Sequence, residues 1–82
     1  MEKSIYSKEY SLFLEHLRNA REEKGLTQIE VAEKIGQTQS FVSKVERGER
    51  RLDIIELREF CTAFGMPFVK FVTHIEKVLN AK

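Results

Sequence analysis

Gln39, Ser40, Ser43, Lys44 and Arg47 are the residues whose types and spacing most openly suggest chemistry. On a helix, at ~100° per residue, they fall on one arc of ~140°, with Phe41, Val42 and Val45 on the opposite arc. The polar arc lacks the alternating Glu/Lys of an ordinary solvated helix, and Glu46 sits at its edge. A Gln amide offers a donor beside an acceptor, which suits the edge of adenine. A Lys ammonium suits the acceptors of guanine, and Ser adapts to either. Phe41, beside this face, is expected in the core; contact with a thymine methyl is the alternative.

Other chemistries find no footing. His16 and His74 are solitary on different predicted helices and Cys61 falls on a predicted buried face, so no spacing resembles a metal site. A nucleophile needs a positioned base and an oxyanion hole, and neither a strand-turn-helix elbow nor a Gly-rich phosphate loop is present. The expectation is a protein that is not an enzyme, with no cofactor and no metal. The histidines read as surface residues and Cys61 as a core filler.

The elements that must position the polar arc lie in Thr27 to Gly48. Thr27 with Glu30 three residues on is a capping box that opens a helix. Val31, Ala32 and Ile35 give its buried stripe. Gly36 stops it in the left-handed conformation. Thr38 caps a second helix through to Glu46 or Arg47, and Gly48 closes it. Two short helices across a Gly turn, the second with a base-reading face, form a DNA-reading helix-turn-helix arrangement.

The flanks read as three more helices. Ser7, favoured over Ser11, caps the first, with Tyr10, Phe13, Leu14, Leu17 and Ala20 at helical spacing and Gly25 ending it; Leu26 plugs the core. Met1 to Tyr6 is expected to fray. Asp53 with Glu56 opens the fourth helix, whose predicted buried stripe is Ile54, Leu57, Phe60, Cys61 and Phe64. Gly65 ends it, and Pro67 is expected in the first turn of the fifth. Phe68, Phe71, Val72, Ile75, Val78 and Leu79 fall within ~120° on that helix. Its second half runs beyond what helices one and four can cover. Phe71, Ile75, Val78 and Leu79 are therefore expected to form a dimer contact, against the alternative of a helix packed wholly on its own core. Ile29 is expected as an exposed apolar residue or one that packs on DNA sugars or a neighbour.

At 82 residues the chain is expected to be one domain, 1–82, with a small core. The net charge of +1 carries no argument for nucleic acid. Locally, Lys44, Arg47, Arg50 and Arg51 outnumber Glu46 and Glu49 between Gln39 and Arg51, and such patches matter more than the total. A single cysteine rules out an intrachain disulfide. No signal peptide, long apolar run or linker appears, so a soluble cytoplasmic protein without membrane contact is expected.

The run from Leu26 to Arg50, LTQIEVAEKIGQTQSFVSKVERGER, resembles the phage-repressor (Cro-like, XRE) helix-turn-helix family. Leu26, Thr27, Gln28, Glu30, Ala32, Lys34, Gly36, Gln39, Ser40, Ser43, Glu46 and Gly48 match the family pattern at the right spacing. With its flanks the resemblance covers about Leu12 to Val72, leaving 73–82 as a C-terminal extension of helix five.

The resemblance implies an all-α, compact, lambda-repressor-like bundle of five helices with the helix-turn-helix at helices two and three. It implies a bacterial or phage transcriptional regulator that binds double-stranded DNA sequence-specifically, as a homodimeric repressor on a palindrome. Gln39, Ser40, Ser43 and Lys44 would read bases. Gln28 and Ser43 would contact phosphate or orient Gln39, and Thr27 and Arg47 would meet phosphate; Arg50 and Arg51, in the loop directly after the reading helix, are expected to do the same, against the alternative of a charged surface loop. Arg21 and Glu46 would form a structural ion pair. No small-molecule effector is expected. The competing reading is a protein-interaction module, such as a partner-binding antitoxin subunit using helix five.

Overall fold

Capping residues set the ends of the helices. The computed structural model describes residues 7–81, so the expectation for residues 1–6 lies outside the described residues. The elements are α1 (Lys8–Glu23), α2 (Gln28–Ile35), α3 (Gln39–Glu46), α4 (Ile54–Phe64) and α5 (Phe68–Ala81), with no strand among the described residues. Ser7 Oγ accepts from the Tyr10 N–H at 3.1 Å and opens α1. Thr27 and Asp53 each form a full capping box, with Glu30 and Glu56 reaching back to the cap N–H. This satisfies donors that a helix otherwise leaves bare.

Pro67 differs by one position from the expectation. Its carbonyl accepts from the Phe71 N–H at 3.1 Å, so it flanks α5 and Phe68 is the first helical residue. A residue with fixed φ and no N–H is as well suited to that flanking position.

Gly36 makes the turn between α2 and α3. Its backbone is left-handed (φ 70°, ψ 33°), and the chain doubles back so that the Gln37 N–H reaches the Ala32 carbonyl at 2.9 Å. Gly48, at φ 80°, does the same beyond α3. There the Glu49 N–H returns to the Lys44 carbonyl at 2.9 Å, which carries Glu49 back beside the end of the helix.

One core joins all five helices. Leu17 and Ala20 of α1, Val31 and Ala32 of α2, Val42 and Val45 of α3, Phe60, Cys61 and Phe64 of α4, and Phe71 of α5 are buried together. Full burial of a side chain such as Phe60 stabilises by about 1.5–3 kcal/mol. Burial pushes the Cys61 thiol up to about 11, in keeping with an apolar filler. Phe41 of α3 leans on Phe60 at 6.4 Å between centroids, tying the end of the turn to α4.

Two expectations are corrected. Ile54 is not in the buried stripe; it is 65% exposed, because at the first turn of α4 its face overhangs solvent. Phe71 is completely buried in the core and is unavailable to a partner. Ile75, Val78 and Leu79 are partly covered, so the open apolar surface lies nearer the start of α5, at Val69 and Val72.

Candidate nucleic-acid interface

α2 and α3 pack against each other across the Gly36 turn, and the exposed arc of α3 carries Gln39, Ser40 and Lys44, with Ser43 half-buried at its edge. Beneath this arc runs a chain of hydrogen bonds that begins in the core. Arg21 donates from Nε to Glu46 Oε2 at 2.7 Å and from Nη2 to Glu46 Oε1 at 3.1 Å. Its Nη1 donates to the Leu26 carbonyl at 2.9 Å. The Glu46 side chain is 4% exposed and that of Arg21 11%, so the pair is largely withdrawn from water. It fastens α1, the α1–α2 turn and α3 to one another.

Gln28 extends the chain outward. Its Nε2 donates to Glu46 Oε1 at 2.9 Å, and its Oε1 accepts from Gln39 Nε2 at 2.7 Å. The direction of these bonds follows from charge. A carboxylate only accepts, so Gln28 must turn its NH₂ toward Glu46 and its carbonyl oxygen toward Gln39. Gln39 must then answer with its own NH₂. What remains to Gln39 is one N–H and the whole of Oε1, a donor beside an acceptor. That pair matches the N7 acceptor and N6 donor of adenine in the major groove. The buried ion pair thereby fixes the polarity of an exposed amide two side chains away.

The cations around α3 are less open than their number implies. Arg47 donates from Nε and Nη2 to Glu49 at 3.0 and 3.1 Å, and its Nη1 donates to Ser43 Oγ. The bond to Arg47 and its charge hold the Glu49 carboxyl below its usual range against an opposing effect of burial, with a lesser contribution from the Lys44 charge. Arg50 lies over the Phe41 ring at 5.0 Å and forks onto Glu56 at 3.0 and 2.7 Å. That bond, with the Asp53 N–H, likewise lowers the Glu56 carboxyl. Arg51 lies over the Tyr10 ring at 4.4 Å, on the groove between α1 and α5. Lys44, Glu49 and Arg50 instead line the hollow beside the start of α3. Thr27 and Gln28 stand at the α2 N-terminus, Thr27 exposed.

The structure thus joins Gln28 to Gln39 and Arg47 to Ser43, gathers Ser40, Lys44 and Arg50 around the hollow beside the start of α3, and sets Arg51 apart. Glu49 and Glu56 act on that surface without having been singled out for it, and Phe41, expected in the core, is half-buried against Phe60 with Arg50 over its ring. The Arg47–Glu49 pairing is two residues apart and follows from the Gly48 turn. The Arg50–Glu56 pairing crosses a loop and left no mark in the sequence. Away from this face, His16 and His74 meet between α1 and α5 with rings 5.6 Å apart. Among the described residues no three His, Cys, Asp or Glu gather as a metal site would require.

A five-helix fold with the second and third helices locked across a Gly turn, and an amide-bearing face on the third, defines a helix-turn-helix DNA-binding protein. Comparison with known proteins agrees. A helix-turn-helix family profile matches residues 17–71. A protein of Sinorhizobium fredii described as the uncharacterized HTH-type transcriptional regulator y4dJ is 45% identical over 53 residues, covering 65% of this chain and 69% of that protein. An XRE-family-like protein of Pseudomonas syringae pv. tomato superposes with a TM-score of 0.81 at 41% identity, over 85% of each chain. The restriction–modification controller protein C.Esp1396I superposes with a TM-score of 0.80 at 29% identity, over 89% of this chain and 92% of that one. The chain belongs to the XRE-type helix-turn-helix family of DNA-binding transcriptional regulators, which are not enzymes.

Proposed function

We propose that the protein is a sequence-specific repressor that binds a palindromic operator as a dimer, with residues 1–82 acting as one DNA-binding domain. The observation that carries this reading is the hydrogen-bond chain from Arg21 through Glu46 and Gln28 to Gln39. A solvated surface amide has no need of a buried ion pair to set its direction; a base-reading amide does. In this reading α3 enters the major groove. Gln39 takes an adenine, Lys44 a guanine, and Ser40 and Ser43 adapt to what lies beside them. Thr27, Gln28 and the α2 N-terminus meet phosphate, as do Arg47, Arg50 and Arg51, supplying attraction that weakens with salt. Occupancy of an operator excludes polymerase from overlapping DNA, which makes repression the simplest consequence of binding.

The test is selection of bound duplexes from a random library at near-physiological salt, repeated with Gln39→Ala. The expected product is an inverted repeat. Gln39→Ala should cost ~1–3 kcal/mol on that sequence and relax one base position per half-site. Equal losses on selected and random duplexes would remove Gln39 from the readout.

A second reading draws on the apolar surface of Ile54, Val69 and Val72, which are 65%, 76% and 44% exposed. It is a protein-interaction module that docks a partner on α4 and α5. Failure to enrich any sequence, with binding that vanishes as salt rises, would favour it.

A further inference from the structure

Arg47 has no nitrogen left over in the free protein. Nε and Nη2 are forked onto Glu49, Nη1 is on Ser43 Oγ, and both charged side chains remain about half exposed, at 52% and 53%. A carboxylate that takes a guanidinium fork from two parallel donors occupies the geometry a phosphate would take. The Gly48 turn, closed by the Glu49 N–H on the Lys44 carbonyl, keeps that carboxylate at the end of α3. The third bond of Arg47 is to a residue on the edge of the reading arc.

We propose that Glu49 is a specificity-determining residue that occupies the phosphate site of Arg47 until α3 docks. The proposal rests on the DNA-binding reading given above. On random DNA α3 does not seat, Arg47 stays with Glu49, and sequence-independent attraction is one contact weaker than the charge count implies. On the cognate site a base or phosphate takes the Ser43 hydroxyl. Ser43 Oγ accepts from Arg47 Nη1 and can donate its O–H to that group at the same time, so it holds Arg47 beside the docked backbone while a phosphate pressed onto the fork displaces the carboxylate. Lys44 stands close enough to bear on the released carboxylate. Non-specific affinity comes almost wholly from phosphate contacts, so withholding one lowers it selectively.

The experiment compares wild type, Glu49→Gln, Arg47→Ala and the double variant. Each is titrated against the library-selected duplex and a random duplex of equal length, across a range of salt. With Glu49→Gln, random-duplex affinity should rise on the order of tenfold at ~0.1 M salt, and the slope of log K against log salt should steepen by about one. The cognate slope should stay as it is, because that contact is already made, so the specificity ratio falls. In the Arg47→Ala background Glu49→Gln should change neither slope nor ratio. An equal gain on both duplexes, or a gain that survives Arg47→Ala, would overturn the proposal and leave Glu49 a background charge. An unchanged random-duplex affinity would overturn it as well. If wild type binds neither duplex, the DNA-binding reading itself fails; if wild type discriminates and Glu49→Gln discriminates equally well, only this proposal fails. Glu49 is exposed and caps no helix, so the variant should melt with wild type.

Discussion

Arg21 uses all three guanidinium nitrogens inside the protein, two on Glu46 and one on the Leu26 carbonyl. Arg21→Ala leaves a carboxylate that is 4% exposed without its cation. The expected cost is ~3–5 kcal/mol, read as a lower Tm and urea midpoint. Replacing the whole pair, as Arg21→Met with Glu46→Leu, should recover most of that stability, because the penalty lies in the orphaned charge rather than in the lost attraction. The double variant should still bind DNA with degraded specificity, since Gln28 loses the acceptor that sets its direction. An unchanged Tm for Arg21→Ala would assign the pair no structural role. His16 carries a second residue-scale prediction. Burial, and then the nearby His74, hold its imidazole below the ordinary value, with Glu23 opposing. Between that lowered value and the ordinary ~6.5 the unfolded chain binds more protons than the folded one. The contribution of His16 is therefore intact above the ordinary value and is lost as pH falls through the folded value. An NMR titration should place His16 below the ordinary value and move it upward in His74→Gln; no movement would remove His74 as a cause. The Arg21–Glu46 partnership was legible through family spacing. The meeting of His16 and His74 was not, because it depends on how α5 crosses α1.

Helix ends were the most legible feature of the chain, because Ser7, Thr27, Thr38 and Asp53 announce themselves by side-chain chemistry and the glycines by the absence of any. What the helical period could not supply was depth. Ile54 shares the period of its stripe and still overhangs solvent, and Phe71 shares the period of a supposed contact face and is wholly enclosed. Periodicity gives the direction of a side chain around its own axis, not the distance to the next helix along that direction. The turn at Gly36 permits a sharper prediction. A Cβ built there meets nothing within 4 Å, so Gly36→Ala would bring no clash and only the left-handed backbone penalty. That penalty is ~1–2 kcal/mol, and Gly36→Asn should cost less, since Asn tolerates this conformation better. DNA affinity per folded molecule should be unchanged in both. A larger loss of stability, or a loss of affinity in the folded variant, would mean that the turn itself adapts when α3 docks.

A body of 33 × 28 × 21 Å is shorter along every axis than one turn of duplex, ~34 Å, so one copy presents one α3 to one groove. In the dimeric reading proposed above, a second copy on the next groove face would supply the affinity that a site of a few base pairs cannot give alone. The surface suited to join them is an apolar groove of about 480 Å³ between α1, α4 and α5, where Val72, Ile75 and Leu79 face Tyr10, Phe13 and Leu57. A standard interface covers about 800 Å² per partner, roughly 15% of the 5212 Å² that the described residues expose. Joining two copies would thus cover the groove and supplement a small core at once. Val72→Glu tests this without threatening the fold, because Val72 is 44% exposed and belongs to no buried cluster. Sedimentation should shift from dimer to monomer. Affinity for the full inverted repeat should fall ~10²–10⁴-fold, the effective-concentration advantage of a tethered second contact, while affinity for a single half-site stays as it was. Half-site affinity falling in step with the repeat would place the damage in α3 rather than in assembly. A wild-type protein that sediments as a monomer well above the concentration at which it saturates the repeat would detach the α5 groove from DNA binding, and the groove would then belong to a different partner.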